Sequence, residues 1–518
     1  VRRVRTIYME RDGQNISIWQ DTVDLPPAER GKSLCCDVLI IGAGMTGVST
    51  GLRLQKEGLS CLVVDAHNMA FGTSGGTSAH LNTVLDTPYT DIIRQHGLEK
   101  AGLVLESVRQ AIADIESNVE DYAIDCDFRR CQGYMYAQNE EEAKKMEDIK
   151  DAIAQVGITV KDSENVPVPF ETMHGIVFEE QGSFHPTKYM LGLRKAFLEL
   201  GGQLIENTLV QQVNEGADDK LEVKTENGQI WLARKVIYAT HTPPGVQWMN
   251  FRLAPYRSYI QVFELEDPTD CPEALIYDME EPFHYFRTVL LDGNPLLMVG
   301  GQDHKTAHEA NEQFNFKELE AFVRTRYKVK NKIYEWSSQY YESQDSLPFI
   351  GHCTARSHKS ELLATGYGGN GMVFSTLAAR ILTDLIVRGE SPYETLYAPS
   401  RVGPLSAIRD LLIENLDVVK SFVKGRLKAE NIDELIELGR GEAKVIRYEG
   451  DKIGVYKDKS GKLYGIDPVC RHAACIVKWN NAESSWDCPC HGARYDCEGR
   501  LLNGPALAPL KRWEWQQE

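Results

Sequence analysis

The stretch "CDVLIIGAGMTGVSTGLRLQKEGLSCLVVDA", residues 36–66, changes its hydrophobic period twice. Val38 to Ile41 is an unbroken apolar run, as a strand buried on both faces requires. Gly42, Gly44 and Gly47 follow, then helical spacing through Val48, Leu52 and Leu54, then a second apolar run, Leu62 to Val64, closed by Asp65. Strand, glycine turn, helix and acid-tipped strand together form the dinucleotide-binding fingerprint. The first two glycines let a pyrophosphate approach the helix N-terminus, and Asp65 stands where a carboxylate can hold ribose hydroxyls. Gly47 to Gly51 also matches the G-x-S-x-G pattern of serine hydrolases, but Ser49 falls inside the expected helix, not on a strand-to-helix elbow, so its expected role is structural.

Working outward, 518 residues exceed what one core holds, so two or three domains are expected. A composition of 42% hydrophobic and 25% charged residues is that of a globular protein, and no apolar run is long enough to span a membrane. The net charge of −18 argues against nucleic acid and anionic membranes as partners. The first residues, "VRRVRTIYMERDGQNISIWQ", have arginines with no apolar run behind them, so the expected location is cytoplasmic.

Near the other end, "DPVCRHAACIVKWNNAESSWDCPCHGARYDCEGRLLNGPALAPL" at 467–510 is dense in soft ligands. Cys470 and His472 form a C-x-H pair, and Cys488 and His491 a C-x2-H pair. Zinc suits two cysteines and two histidines, but zinc modules usually open with two closely spaced cysteines. Here each loop carries one Cys and one His, the arrangement by which a [2Fe–2S] cluster takes both thiolates on one iron and both imidazoles on the other. The pattern resembles the Rieske domains of cytochrome bc complexes: C-x-H-x2-C, then C-P-C-H-G, Tyr-Asp and Gly-Pro-Ala. That resemblance implies a disulfide between Cys475 and Cys490, pinning the two loops over the cluster. High-potential Rieske domains usually place a serine after His-Gly and a tyrosine two residues later; this chain has Ala493 and Tyr495.

Residues 361–386, "ELLATGYGGNGMVFSTLAARILTDLI", read as strand, glycine turn and helix, yet no acid-tipped strand follows. A second dinucleotide unit is therefore absent, which favours FAD over NAD. From about 35 to 395 the segments resemble the FAD-dependent amine oxidoreductases of the D-amino-acid oxidase superfamily, such as glycine and sarcosine oxidases. The matching pieces are "GTSGGTSAH" at 72–80 (with Thr73 and Ser74), "GGQLIENTLVQQV" at 201–213 (with Val210), "VIYATHTPP" at 236–244, "SLPFIG" at 346–351, and the loop of Gly366, Gly368, Gly369, Gly371 and Met372. The resemblance implies that this last loop lies under the isoalloxazine ring. It also implies noncovalent FAD, because Trp336, Ser337 and Ser338 stand where sarcosine oxidases attach flavin to a cysteine.

The expected architecture is an α/β, Rossmann-like FAD-binding domain interleaved with an antiparallel-sheet substrate domain, followed by a small all-β Rieske domain. The expected divisions are an N-terminal extension (1–34), the oxidoreductase (35–395), an amphipathic helical connector (396–435) and the Rieske domain (436–518). Within the oxidoreductase, the FAD part takes about 35–95, 170–250 and 340–395, and the substrate part about 96–169 and 251–339. Helical spacing covers 93–120 and 141–156, and a hairpin is expected at Asn227-Gly228.

Flavin accepts two electrons as hydride from a carbon next to an amine nitrogen, and the cluster carries one at a time. The expectation is a dehydrogenase of a small amine or amino-acid-like substrate that delivers electrons to a one-electron acceptor protein or a quinone-like carrier. A redox sensor or electron-transfer module without its own substrate is the rival. In the resembled family, strand arginines and tyrosines hold a substrate carboxylate, so Arg257, Tyr259, Tyr285 and Arg287 are the candidates, with Tyr256 beside them. His80, His185, His304 and Lys305 are weaker ones.

Overall fold

The structure is a computed structural model that describes residues 11–26, 35–245, 247–353, 360–401, 430–431, 438–448 and 450–513. The opening stretch folds as its periods demand. Strand Cys35–Ile41 runs parallel to Ile230–Tyr238 on one side and Cys61–Val64 on the other, so Val38, Leu39 and Ile40 are buried. The sheet is eight-stranded, in the order Phe349–His352, Glu361–Thr365, Ile230–Tyr238, Cys35–Ile41, Cys61–Val64, Gln203–Ile205, with Val210–Glu215 and Leu221–Thr225 attached beside Ile230–Tyr238. The expected turn at Asn227-Gly228 joins the last two of these, with Gly228 at φ +81°. Helix Met45–Lys56 packs against Gly371–Val387 and Pro186–Glu199.

A nine-stranded sheet follows the order Val329–Ser343, Leu253–Leu265, Asn294–Lys305, His284–Leu291, Leu275–Asp278, Arg129–Ala137, His174–Ser183, His80–Leu81, with Val160–Asp162 also on His174–Ser183. All its pairings are antiparallel except Leu275–Asp278 with Arg129–Ala137. The chain crosses between the two sheets repeatedly, which is the interleaving expected. Helices Leu98–Asp121 and Glu140–Val156 occupy the two segments of helical spacing. Tyr256, Arg257 and Tyr259 lie inside strand Leu253–Leu265.

The C-terminal part has two four-stranded sheets: Glu430–Asn431, Ala443–Tyr448, Asp451–Lys457, Leu463–Ile466, and Lys478–Asn480, Ser485–Asp487, Arg494–Asp496, Leu501–Asn503. Most of the expected connector, 402–429 and 432–435, lies outside the described residues. Residues 430–431, included in that helical reading, instead pair as a strand with Ala443–Tyr448.

The described N-terminal residues wedge between the large body and this C-terminal part, where three arginines (Arg11, Arg257, Arg494) meet three acids (Asp12, Glu483, Asp487), all buried. Arg494 Nε lies 3.1 Å from Asp487 Oδ1 and Nη1 lies 3.5 Å from Asp12 Oδ2, while Arg257 Nη2 reaches Asp487 Oδ2 at 3.5 Å. Arg11 Nη2 bonds Asp12 Oδ1 at 2.9 Å and the Ser337 carbonyl at 2.7 Å. Glu483 accepts from the Ser337 and Gln14 backbone amides at 2.9 and 2.6 Å. Burial pushes the Asp12 carboxyl up, but Arg11 and Arg494 outweigh it and hold it at about 2. Its folded value lies below the ordinary 3.8, so this stabilisation is full above pH 4 or so and is lost as pH falls toward 2. Replacing Arg494 with methionine leaves Asp12 and Asp487 buried without their shared cation. The expected loss is about 3–5 kcal/mol of stability, measured by denaturant unfolding of the full chain; a change near zero would show that water reaches the network.

Candidate functional site

A long cavity opens at the C-terminal end of strand Cys35–Ile41. Gly42, Gly44, Asp65, Thr73, Ser74, Val210, Gly368, Gly369, Gly371 and Met372, all singled out from sequence, line it. Asp65 accepts from the amides of Ala43 (2.6 Å) and His67 (2.8 Å), and burial pushes its carboxyl up to about 6. Gly47 and Gly366 are not on the cavity wall. Gly47 serves close packing instead: a Cβ there would lie 1.8 Å from the Gly42 carbonyl oxygen. Ser49 is buried within helix Met45–Lys56, as expected. A glycine-lined cradle at the N-terminus of that helix suits a pyrophosphate, and the far end of the cavity meets the N-terminus of helix Gly371–Val387.

Strand alternation decides which sheet residues reach the cavity. On Leu253–Leu265, Ser258 and Ile260 line it. Arg257 and Tyr259 therefore point to the opposite face: Arg257 to Ser337 Oγ (2.8 Å) and Asp487, Tyr259 to His304 Nε2 (2.9 Å) and the Phe316 ring. The expectation that they hold substrate is corrected on that ground. Tyr285 does line the cavity. Arg287 lies beyond it, its Nη1 bonded to the carbonyls of Ser78 (3.0 Å) and Ala79 (2.7 Å), so it positions the chain leading into His80. Tyr256 and Lys305 are register partners across the sheet, away from the cavity wall. His185 caps helix Pro186–Glu199 and contacts Thr22.

His80 lines the cavity. Its Nδ1 meets Tyr277 Oη at 3.1 Å, its Nε2 has no partner, and burial keeps it neutral, well below the usual histidine range. Sequence reasoning missed Asp86, Asp303, Ser258 and Tyr340, which complete this end with Ser338, the residue read beside the flavin-attachment position. Period two puts Ser258 and Ile260 on one face and Arg257 and Tyr259 on the other, but which face turns to the cavity is decided only by the packing of the sheet.

The second site lies in two loops of the C-terminal part. A disulfide joins Cys475 and Cys490, and their sulfurs lie within 4.8 Å of Cys488 Sγ. The neighbouring Cys488 sulfur is the largest cause that lowers the Cys470 thiol below its ordinary value. The His472 and His491 rings stand 4.8 Å apart, and the Nδ1 atoms of both are buried without a partner. Two thiols and two orphaned imidazole nitrogens, one of each per loop, fit a [2Fe–2S] cluster. Tyr495 Oη lies 3.4 Å from Cys470 Sγ, whereas Ala493 is buried and offers only its carbonyl, to Cys488 N at 2.8 Å.

These loops dock on the large body. Gly492 (φ +71°) leaves no room for a side chain, since a Cβ would meet Pro255 Cβ at 2.7 Å and Tyr341 Oη at 2.8 Å. Tyr341 Oη donates to the His491 carbonyl at 3.1 Å and Gln339 Nε2 to the Gly492 carbonyl at 2.9 Å. His472 Nε2 lies 3.2 Å from the Gly245 carbonyl and 3.1 Å from Asn250 Nδ2. Leu501, Leu502, Asn503 and Gly504 from the same C-terminal part close one side of the nucleotide-like cavity.

Comparison with known proteins agrees with both halves. Residues 37–385 match the family described as FAD dependent oxidoreductase, and residues 430–514 match the Rieske [2Fe-2S] domain. YhfW of Bacillus subtilis, named as a Rieske 2Fe-2S iron-sulfur protein, is 30% identical over 95% of this chain and 96% of its own length. Gamma-glutamylputrescine oxidoreductase of Escherichia coli is 24% identical over 70% of this chain and 85% of its own. The crystal structure of glycine oxidase from Geobacillus kaustophilus superposes with a TM-score of 0.60 at 19% identity, covering 71% of this chain and all of that one, which is a likeness of fold.

With a cluster held by the Cys470 thiolate, the Tyr495 hydroxyl would donate toward Cys470 Sγ and favour the more negative, reduced state. Tyr495→Phe is expected to lower the cluster midpoint by roughly 40 mV, the equivalent of about 1 kcal/mol for one electron. Voltammetry on the full chain reads this directly, and an unchanged midpoint would mean that the hydroxyl does not face the cluster.

Proposed function

The chain belongs to the FAD dependent oxidoreductase family and carries a Rieske [2Fe–2S] domain, and from that premise we infer that it is a dehydrogenase of a small amine or amino-acid-like substrate whose electrons leave singly for an external acceptor. FAD supplies the hydride acceptor and the cluster the one-electron conduit. One observation carries the reading: consecutive residues of strand Val329–Ser343 alternate between the two sites. Ser338 and Tyr340 line the cavity, while Ser337, Gln339 and Tyr341 bind Glu483, Gly492 and His491. The wall between them is therefore a single β-sheet layer. Tyr341 also sets its ring 4.7 Å from that of His241, which lines the cavity.

In this reading Gly42 and Gly44 admit the pyrophosphate, Asp65 holds the ribose, and Gly368 to Met372 support the ring. Cys470, His472, Cys488 and His491 hold the cluster. His80 Nε2, neutral and unpartnered, accepts a hydrogen bond from the substrate nitrogen. Tyr285 and Tyr340 cover the reacting end and help to exclude water.

Cys470→Ser is expected to empty the cluster and keep FAD. Amines should still bleach the flavin anaerobically, while turnover with a one-electron acceptor falls at least about tenfold. Unchanged turnover would make the cluster structural, and failure of every amine to bleach the wild-type flavin would favour a sensor or carrier without a substrate. Acid precipitation is expected to release all flavin into the supernatant; flavin retained on the polypeptide would point to attachment, with His80 the first residue to examine.

A further inference from the structure

We propose that the substrate carries a second cationic group besides the amine nitrogen that is oxidised, and that Asp303, with Asp86, recognises it. This rests on the reading of the cavity as the place of amine oxidation. No arginine or lysine lines the cavity among the described residues. The arginines expected to hold a substrate carboxylate are engaged elsewhere, Arg257 with Asp487 and Arg287 with backbone carbonyls. A substrate carboxylate would meet two carboxylates and no counter-charge.

Asp303 accepts from Tyr340 Oη at 2.9 Å through Oδ2, while its Oδ1 is buried with no partner. Asp86 keeps accessible surface, as a side chain lining an open cavity does. Its Oδ1 accepts from Asn370 Nδ2 at 3.2 Å, and its Oδ2 lies against Gly369, where a Cβ would stand 1.6 Å away. Asp86 thus stands against the glycine loop, and Asp303 lines the same cavity, near enough for the two charges to oppose each other.

Two further side chains, more than nine-tenths buried, independently point to a ligand there. His80 and Ser338 both line the cavity, and His80 Nε2 and Ser338 Oγ are buried without a partner. Burial also pushes the Asp303 carboxyl up to about 6, the cost of an enclosed acid without a cation. An ammonium group in the cavity offsets that cost, whereas a neutral or anionic group does not.

The fitting ligand class is a diamine or polyamine. One nitrogen stays protonated against Asp303. At the other, neutral nitrogen, the adjacent C–H bond breaks and its electron pair leaves with the hydrogen as hydride to FAD. The resulting C=N⁺ bond is hydrolysed by water to an aldehyde and ammonia, or to an aldehyde and a primary amine where the oxidised nitrogen is secondary, and the two electrons leave one at a time for the external acceptor.

Calorimetry on the FAD- and cluster-loaded full chain, at moderate salt so that the net negative charge is screened, tests this with putrescine, spermidine, butylamine and glycine. Putrescine or spermidine is expected to bind at least about tenfold more tightly than butylamine, with glycine weakest. Asp303→Asn keeps an acceptor for Tyr340 and should bring the diamine to the butylamine level, with flavin absorbance and melting temperature reporting its folding. The wild-type ligand series decides even if that variant does not fold. Equal affinity for butylamine and putrescine, or tighter glycine, overturns the proposal. Bleaching by glycine or butylamine without a preference for dications leaves amine oxidation standing while the second-cation proposal falls. Dication binding that depends on Asp303 but bleaches no flavin supports the cation site and removes amine oxidation.

Discussion

The constraint on which the molecule turns is that successive side chains of a β-strand point to opposite faces. In Val329–Ser343 and its neighbour Leu253–Leu265, one face closes the cavity and the other receives the cluster loops. Ser338, Tyr340, Ser258 and Ile260 belong to the first face; Ser337, Gln339, Tyr341 and Arg257 belong to the second. A one-residue slip in either strand would exchange the two sets and dismantle both sites. Two different redox sites can share one thin wall only because the register is held, here by a long antiparallel ladder and by the buried Trp336, whose Nε1 donates to the Gly76 carbonyl at 2.8 Å.

The buried charge network holds the C-terminal part against that wall. Arg494 is shared by Asp487 of its own sheet and Asp12 of the N-terminal segment, and Arg257 reaches Asp487 from the large body. Such a network adds less to net stability than an apolar contact of equal area, because desolvation opposes it. It does make the docked geometry demanding, since any displacement leaves a buried charge unpaired. The Gly492 contact acts in the same sense by removing the slack that a side chain would require. The His472 imidazole consequently meets Gly245 and Asn250, and the His491 imidazole meets the Phe251 ring. On the proposed reading, transfer between the two redox groups requires no excursion of the cluster loops.

The acids of the cavity change what the family resemblance implies. Carboxylate-binding arginines were expected from fold analogy, yet the positions that match in sequence face away from the cavity or lie beyond it. Fold and cofactor chemistry are common property of a large family, whereas the substrate is selected by a few side chains at the reacting end. On the proposed reading those are Asp86, Asp303 and His80, with Tyr277, Tyr285, Tyr340 and Tyr367 of the cavity wall.

The amino-acid sequence by itself determined what is local. The glycine turn, its flanking strands, Asp65, the loop before helix Gly371–Val387, and the four soft ligands with their neighbouring cysteine pair are all short-range patterns, because each is set by backbone conformation or ligand chemistry within a few residues. The tertiary structure alone decided what depends on strand parity and on contacts between distant segments. Arg257 and Ser258 are adjacent, yet one joins an interface and the other a cavity. Asp12 meets Arg494, and Tyr341 meets His491, only after the whole chain has folded. No periodicity records such encounters, because they follow from packing between elements rather than from the conformation of any one of them.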